Sequence, residues 1–352
     1  MTSPSRTTSI SPQFGHLAGG SASPLDRDVM DSITSSMTRG EIAALLGSGR
    51  LYSPGRDRLY TVDELMAGYE SDAPMQSLDA RLAAHVKACG IPPVDVDEAI
   101  AQVVHDQGVG QAMRSFVAAS VAKGQHIVGV MGGASTPRDA SAYRLAAATA
   151  KAVSEAGFLV ATGGGLGIME AGNLGAFFAG RPDDELHAAI DDLKRCPVYR
   201  GNEAQYFDTA RSITAGQRAG ASSLAVATWR YDEEPISQFA TDIAKLFQNS
   251  VREDGLLSIA DAGVAYFEGG FGTLREIFQD LAQNGSAAPA QQMAMVFVGP
   301  DVYGRRGSPV QLARFLAGRA AAPFDDLITL ADSPDAVVAA MIAAGRRSHR
   351  SG

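Results

Sequence analysis

VAYFEGGFGTLREIFQDLAQNG, residues 264–285, contains a complete strand-to-helix transition. An apolar run over 264–267 ends in Gly269, Gly270 and Gly272. Leu274, Ile277, Phe278 and Leu281 then recur three and four residues apart, the spacing of an amphipathic helix. Glycines at such a junction let the backbone turn sharply and approach a ligand closely. A helix starting there presents unpaired N–H groups and its positive dipole end, which suits a phosphate. A plainer reading exists. Thr273 to Glu276 spells T-x-x-E, a capping box in which both side chains satisfy the helix's own donors.

Working outward, the pattern repeats. HIVGVMGG (126–133) and FLVATGGG (158–165) are short apolar runs that also end in glycines. Helices are expected over 139–157, closed by Gly157, and over 167–180. SLAVATW (223–229), MAMVFVG (293–299) and DLITLA (326–331) read as further strands. The stretch 183–220 is polar and helix-like, and 236–263 reads as one or two helices. Helices over 308–318 and 334–345 complete the series. Buried runs alternating with helices predict an α/β fold: a Rossmann-like, doubly wound parallel sheet with helices on both faces, over 123–346. In such sheets ligands bind beyond the carboxyl ends of the strands. The glycine clusters lie at three such ends.

Residues 1–26 are rich in Ser, Thr, Pro and Gly and are expected to form a disordered tail. A helical N-terminal region follows over 27–122, with TRGEIAALL (38–46), TVDELMAGY (61–69) and a longer helical stretch over 95–122. It carries no chemical motif and reads as a packing or oligomerisation element. Residues 347–352 form a short tail.

Composition narrows the function classes. A net charge of −9 argues against a nucleic-acid polymer as partner. No apolar run approaches membrane-spanning length, and the N-terminus lacks a secretory pattern, so no membrane partner is expected. Two cysteines, Cys89 and Cys196, fit a reducing cytoplasm better than a disulfide framework. The scattered histidines predict no metal site. None of the five lysines follows a glycine loop, which removes the P-loop reading. GVMGGAS (129–135) is not GxGxxG, and the second strand ends in TGGG where a ribose-binding Asp or Glu is usual. No NAD or flavin cofactor is therefore expected, and a phosphate-bearing mononucleotide suits the pattern better.

The candidate nucleotide-binding residues are Gly132, Gly133, Ser135, Gly163, Gly164, Gly165, Gly269, Gly270, Gly272 and Thr273. Glu170 follows a glycine turn at a helix start, where a favourable dipole interaction explains it equally well. Asn173 and Asn249 are candidates for orienting sugar or base. Trp229 fits a core position better than a base-stacking one.

GGFGTLRE (269–276) resembles the PGGxGTxxE signature of the LOG (Lonely Guy) family. TGGGLGIMEAGNLGA (162–176) resembles that family's second glycine motif, and GVMGGAS its first strand-end turn. The resemblance covers 126–305 and looks like a divergent, larger branch. It implies a Rossmann-like fold, a homodimer or higher homo-oligomer, and hydrolysis of a nucleoside 5′-monophosphate to free base and ribose 5-phosphate. It implies Glu276 and Arg252 as catalytic residues. Glu268 stands where the signature has proline, and Glu253 where a basic residue commonly follows the arginine. A sensor or carrier of the same fold, binding a nucleotide without cleaving it, is the alternative. Many relatives bear a "lysine decarboxylase" label, but no lysine adjoins the glycine motifs to support pyridoxal phosphate chemistry.

Overall fold

The computed structural model describes residues 49–231 and 235–348. The expected 1–26 tail, the TRGEIAALL helix and the last four residues lie outside them. Thr61 caps a single-turn helix α1 (Val62–Leu65), its Oγ1 accepting from Glu64 N at 3.2 Å. Ser77 caps α2 (Leu78–Cys89), and Asp95 caps the long α3 (Val96–Val121). Strands and helices then alternate. The order is β1 (Ile127–Met131), α4 (Ser141–Glu155), β2 (Leu159–Thr162), α5 (Ile168–Phe177), α6 (Asp183–Leu193) and α7 (Glu203–Thr214). Next come β3 (Ser223–Thr228), β4 (Asp242–Leu246), α8 (Asn249–Ile259), β5 (Gly263–Tyr266) and α9 (Phe271–Ser286). The chain closes with β6 (Ala294–Val298), α10 (Pro300–Tyr303), α11 (Pro309–Ala317), β7 (Ile328–Ala331) and α12 (Pro334–Ser348).

The seven strands form one sheet in the order β4-β3-β2-β1-β5-β6-β7, and every pairing is parallel. β1, β2, β3, β5 and β6 are buried along their whole length, as sequence runs without alternation require when helices cover both faces. The winding direction reverses between β1 and β5. The expected ligand crevice of a doubly wound sheet lies there, beyond the strand ends.

The main difference from the sequence reading is β4. Residues 242–246 are a strand, and the expected helix starts only at Asn249. Ile243, Leu246 and Phe247 carry helical spacing, but tertiary partners decide. Ile243 exchanges two backbone hydrogen bonds with Tyr60, at 2.8 and 2.9 Å. Lys245, 1% exposed, reaches Asp79 of α2 at 2.7 Å. The segment before the sheet thus covers its β4 edge. The described N-terminal helices belong to the same compact unit as the sheet, Ala44–Gly352.

Trp229 is core. It is 1% exposed, its Nε1 donates to Asp79 Oδ1 at 2.8 Å, and it packs against Tyr60, His105 and Phe247.

Candidate functional site

Three strand ends meet at the crevice. The turn after β1 lies against the turn after β5, with Gly133 N donating to Glu268 O at 2.9 Å. The turn after β2 lies beside them, with Ile168 N donating to Gly133 O at 3.2 Å. They wall a cavity of about 390 Å³ lined by Gly132, Gly133, Ser135, Gly163, Gly270, Gly272, Thr273, Arg252 and Glu276. Met131, Ala134, Met169, Tyr231, Glu253 and Arg275 complete the lining.

Helix α9 starts earlier than its sequence suggests. Gly270 is the N-cap of α9, no side chain caps it, and Thr273 already sits in its first turn. The capping-box reading of Thr273 and Glu276 is therefore corrected: the N-cap is Gly270, three residues before the expected one. The N–H groups of that first turn have no acceptors within the helix. A Cβ at Gly270 or Gly272 would meet nothing within 4 Å, so packing does not demand glycine there. Their bareness keeps the cradle open.

Arg252, on α8, organises the cavity. It is 6% exposed. Its Nη1 donates to Glu276 Oε1 at 3.2 Å, and its Nε to the Val226 carbonyl at 3.0 Å. Nη2 lies 3.5 Å from the Gly163 carbonyl. A side chain at Gly163 would overlap Nη2 and come within 2.5 Å of Met169 Sδ, so this glycine makes room for the arginine. The two departures from the signature fall differently. Glu268 is exposed and lies among the residues of another cavity, with Arg305 and Arg306. Glu253 does line the crevice, where its Oε1 accepts from Asn249 Nδ2 at 2.7 Å and pairs with Arg275. The acid at 253 is thus matched by a base within the signature itself.

Other candidates lie elsewhere. Glu170 is 2% exposed and outside the lining. Arg138 grips it through Nε at 2.9 Å and Nη2 at 2.6 Å, while Tyr143 and Tyr206 donate to Oε2 at 2.9 and 2.8 Å. Burial, with Glu170 next, raises the pKa of both tyrosines well above the ordinary value, so they remain donors. Asn173 accepts from Thr162 at 2.9 Å and donates to Ser223 at 3.1 Å, tying β2 to β3. Gly164 backs onto Ala225 and Ala227, Gly269 packs on Thr273, and Gly165 is buried outside the lining. Asn249 stands behind Glu253, and its Oδ1 is buried without a hydrogen-bond partner.

Sequence reasoning missed Arg138, Met169, Tyr231 and Arg275. For Arg275 a signal existed, since its charge is opposite to that of Glu253. Beneath the site, Asp280 of α9 is fully buried and accepts from Tyr266 Oη at 2.8 Å and Asn284 Nδ2 at 3.1 Å. Burial pushes its pKa up to about 7, against the Tyr266 hydrogen bond, which lowers it.

One described group could offer metal-ligand atoms: His85, Cys89 and Glu98, on α2 and α3. Glu98 there already accepts from Tyr52, His85 and Gln102 at 2.9–3.0 Å and pairs with Arg50. Burial raises the Cys89 thiol, which disfavours the thiolate a metal needs. It stands as a hydrogen-bonded cluster.

No family model matches the chain, and no curated protein matches it. Among solved structures it is similar to the molybdenum cofactor carrier protein from Chlamydomonas reinhardtii. The identity is 17% over 62% of this chain and 98% of that one, with a TM-score of 0.36. It is also similar to the molybdenum cofactor binding protein from Rippkaea orientalis, at 15% identity over 62% and 96% of the two chains, with a TM-score of 0.35. Among the described residues no helix is long and apolar enough to cross a membrane.

Proposed function

We propose that this chain is a LOG-type phosphoribohydrolase that splits a nucleoside 5′-monophosphate into free base and ribose 5-phosphate. What carries the reading is the Arg252–Glu276 pair inside a cavity walled by three glycine-rich strand ends. The bare first turn of α9 and the turn after β1 hold the phosphate through backbone N–H groups and the helix dipole. Ribose then lies between the cradle and Glu276. Water attacks C1′ as the C1′–N bond breaks, and the bond pair leaves on the base nitrogen. The Glu276 carboxylate stabilises the oxocarbenium-like charge and accepts the water proton, which passes to the base. Arg252 holds that carboxylate in place from a buried position. Glu170 and Asn173 support the frame in this reading.

The test is chromatography of free base after incubating the chain with a panel of nucleoside 5′-monophosphates. Base release by the wild type, and loss of at least about a hundredfold in Glu276→Gln, is expected for a positioned acid–base group. Release that survives Glu276→Gln would remove the assignment. The second reading, binding without cleavage, draws on Glu253, an extra carboxylate lining the cavity. It predicts a rise in melting temperature with a nucleotide but no free base.

We also infer a homo-oligomer. Phe271 and Leu274 on α9 and Leu312, Phe315 and Leu316 on the neighbouring α11 are exposed, with Phe271 at 92%. Clustered exposed apolar side chains of this kind mark interaction surfaces. Light scattering after size exclusion is expected to give a mass above 36.7 kDa, reduced towards it by Phe315→Glu. A monomeric wild type would sink this. A cytoplasmic setting fits the free Cys89 and Cys196.

A further inference from the structure

Glu268 replaces the proline of the signature, and the crevice makes no use of it. It lines a separate cavity of about 490 Å³ on the opposite face of α9. Phe271, Leu274 and Ile277 face this cavity, whereas Gly272, Arg275 and Glu276 face the crevice. The segment from α10 to α11 supplies the other wall. The inner surface is apolar. Ile277 is 1% and Tyr303 4% exposed, and Val302 and Pro309 are half-buried beside them. Tyr303 Oη donates to the Phe267 carbonyl at 2.7 Å, which fixes its ring in the wall. Three charged side chains stand at the exposed end: Glu268, Arg305 and Arg306. Among the described residues none of the three makes an ion pair or a side-chain hydrogen bond, with one another or with any other group. Burial, with the Glu268 charge next, raises the Tyr303 pKa above its usual value, so that carboxylate bears on the cavity wall.

An acid and two bases that line one cavity without pairing are complementary to a molecule that carries both signs. An apolar inner surface adds a third requirement. A pocket with a few polar groups around apolar walls is the usual form of a small-molecule site. We propose that this cavity binds a free α-amino acid with an apolar side chain. The planar fork of Arg305 or Arg306 takes the α-carboxylate, and Glu268 takes the α-ammonium group. The side chain is buried against Ile277, Val302 and Pro309. A nucleotide suits the cavity less, because Glu268 repels its phosphate. The inference is independent of the phosphoribohydrolase reading. Phe271 and Leu274 belong also to the face inferred above to meet a second copy, so binding is measured on the chain in its native oligomeric state.

Leucine, leucinamide and N-acetylleucine share one side chain. The amide lacks the carboxylate, and the acetyl derivative lacks the ammonium group. Calorimetric titration of the full chain with each, and with phenylalanine, tests the inference. Leucine is expected to bind about tenfold tighter than either derivative, the return of one charge-assisted hydrogen bond. Glu268, Arg305 and Arg306 are exposed, so Glu268→Gln and the R305A/R306A double variant are expected to fold, which their melting temperatures check. In Glu268→Gln the preference over N-acetylleucine should fall towards one while the preference over leucinamide remains. In R305A/R306A the reverse is expected. Binding of neither leucine nor phenylalanine to the wild type overturns the inference. Equal affinities for the three leucine compounds overturn it too, as do preferences that persist in both variants. Binding of a nucleoside 5′-monophosphate that is lost in R305A/R306A would give the cavity to a nucleotide and overturn it as well.

Discussion

Arg252 and Glu276 come from helices separated by a strand, and their pairing needs a residue with no side chain at all. Gly163 yields the volume that the guanidinium occupies. Gly163→Ala is expected to displace Arg252 Nη2 and Met169 Sδ. Both are ends of flexible side chains, so the fold should tolerate the change. Moving the guanidinium, however, also moves Nη1, which donates to the Glu276 carboxylate. We expect kcat to fall at least tenfold, on the order of 1.4 kcal/mol in the barrier, with a small change in melting temperature. An unchanged kcat with a large loss of stability would mean that Gly163 serves packing instead. At this scale the sequence was legible where residue type and motif position agreed, as for Gly270, Gly272, Thr273 and Glu276, all of which line the crevice. It was not legible for Glu170. A carboxylate at a helix start looks the same in sequence whether it faces a ligand or a buried arginine, and Arg138 lies 32 residues away in the chain.

Helix α9 joins the crevice to the core. Its first turn is glycine and open, while further along Asp280 is sealed against Tyr266 and Asn284. Burial raises the Asp280 pKa to about 7, whereas an unfolded chain holds aspartate near ~4. Between those values the folded state keeps a proton that the unfolded state has released. The folded state therefore binds more protons, and this group's contribution falls as pH rises from about 4 to about 7, then levels off. Asp280→Asn removes that slope. The stability of wild type relative to variant should decline across the window, by on the order of 1 kcal/mol per pH unit. Urea unfolding at a series of pH values measures it, and a pH-independent difference would refute the assignment. Among elements, the strands at all three glycine turns and the helix after each were readable, because apolar runs bounded by glycine have few alternatives. β4 was not. Its local spacing is helical, and the Tyr60 backbone and Asp79 that hold it extended come from a distant part of the chain.

For the whole molecule, the question is whether the helices before β1 are an appendage or part of the machine. Asp106, in the middle of α3, is 2% exposed. Its two oxygens accept from Phe247 N at 2.9 Å and Gln248 N at 2.8 Å. These donors immediately precede α8, the helix that carries Arg252. Asp106→Ala strips both N–H groups of their acceptor. Each unsatisfied buried group costs about 1–3 kcal/mol, so a clear fall in stability is expected. The loss should also reach the site, because the start of α8 is no longer fixed, and kcat should fall although residue 106 touches no part of the crevice. Trp229, the single tryptophan, gives the readout. It is buried between Asp79 of α2, the Tyr60 and His105 rings and Phe247, so its emission reports the junction itself. In urea, the tryptophan signal and the far-ultraviolet circular dichroism are expected to change together in the wild type, and to shift together to lower urea in Asp106→Ala. An early tryptophan transition followed by a separate loss of helix would show that the N-terminal helices detach first. Coincident curves with a lowered kcat in the variant would mean that the active geometry of α8 is held from α3, across the edge of the sheet.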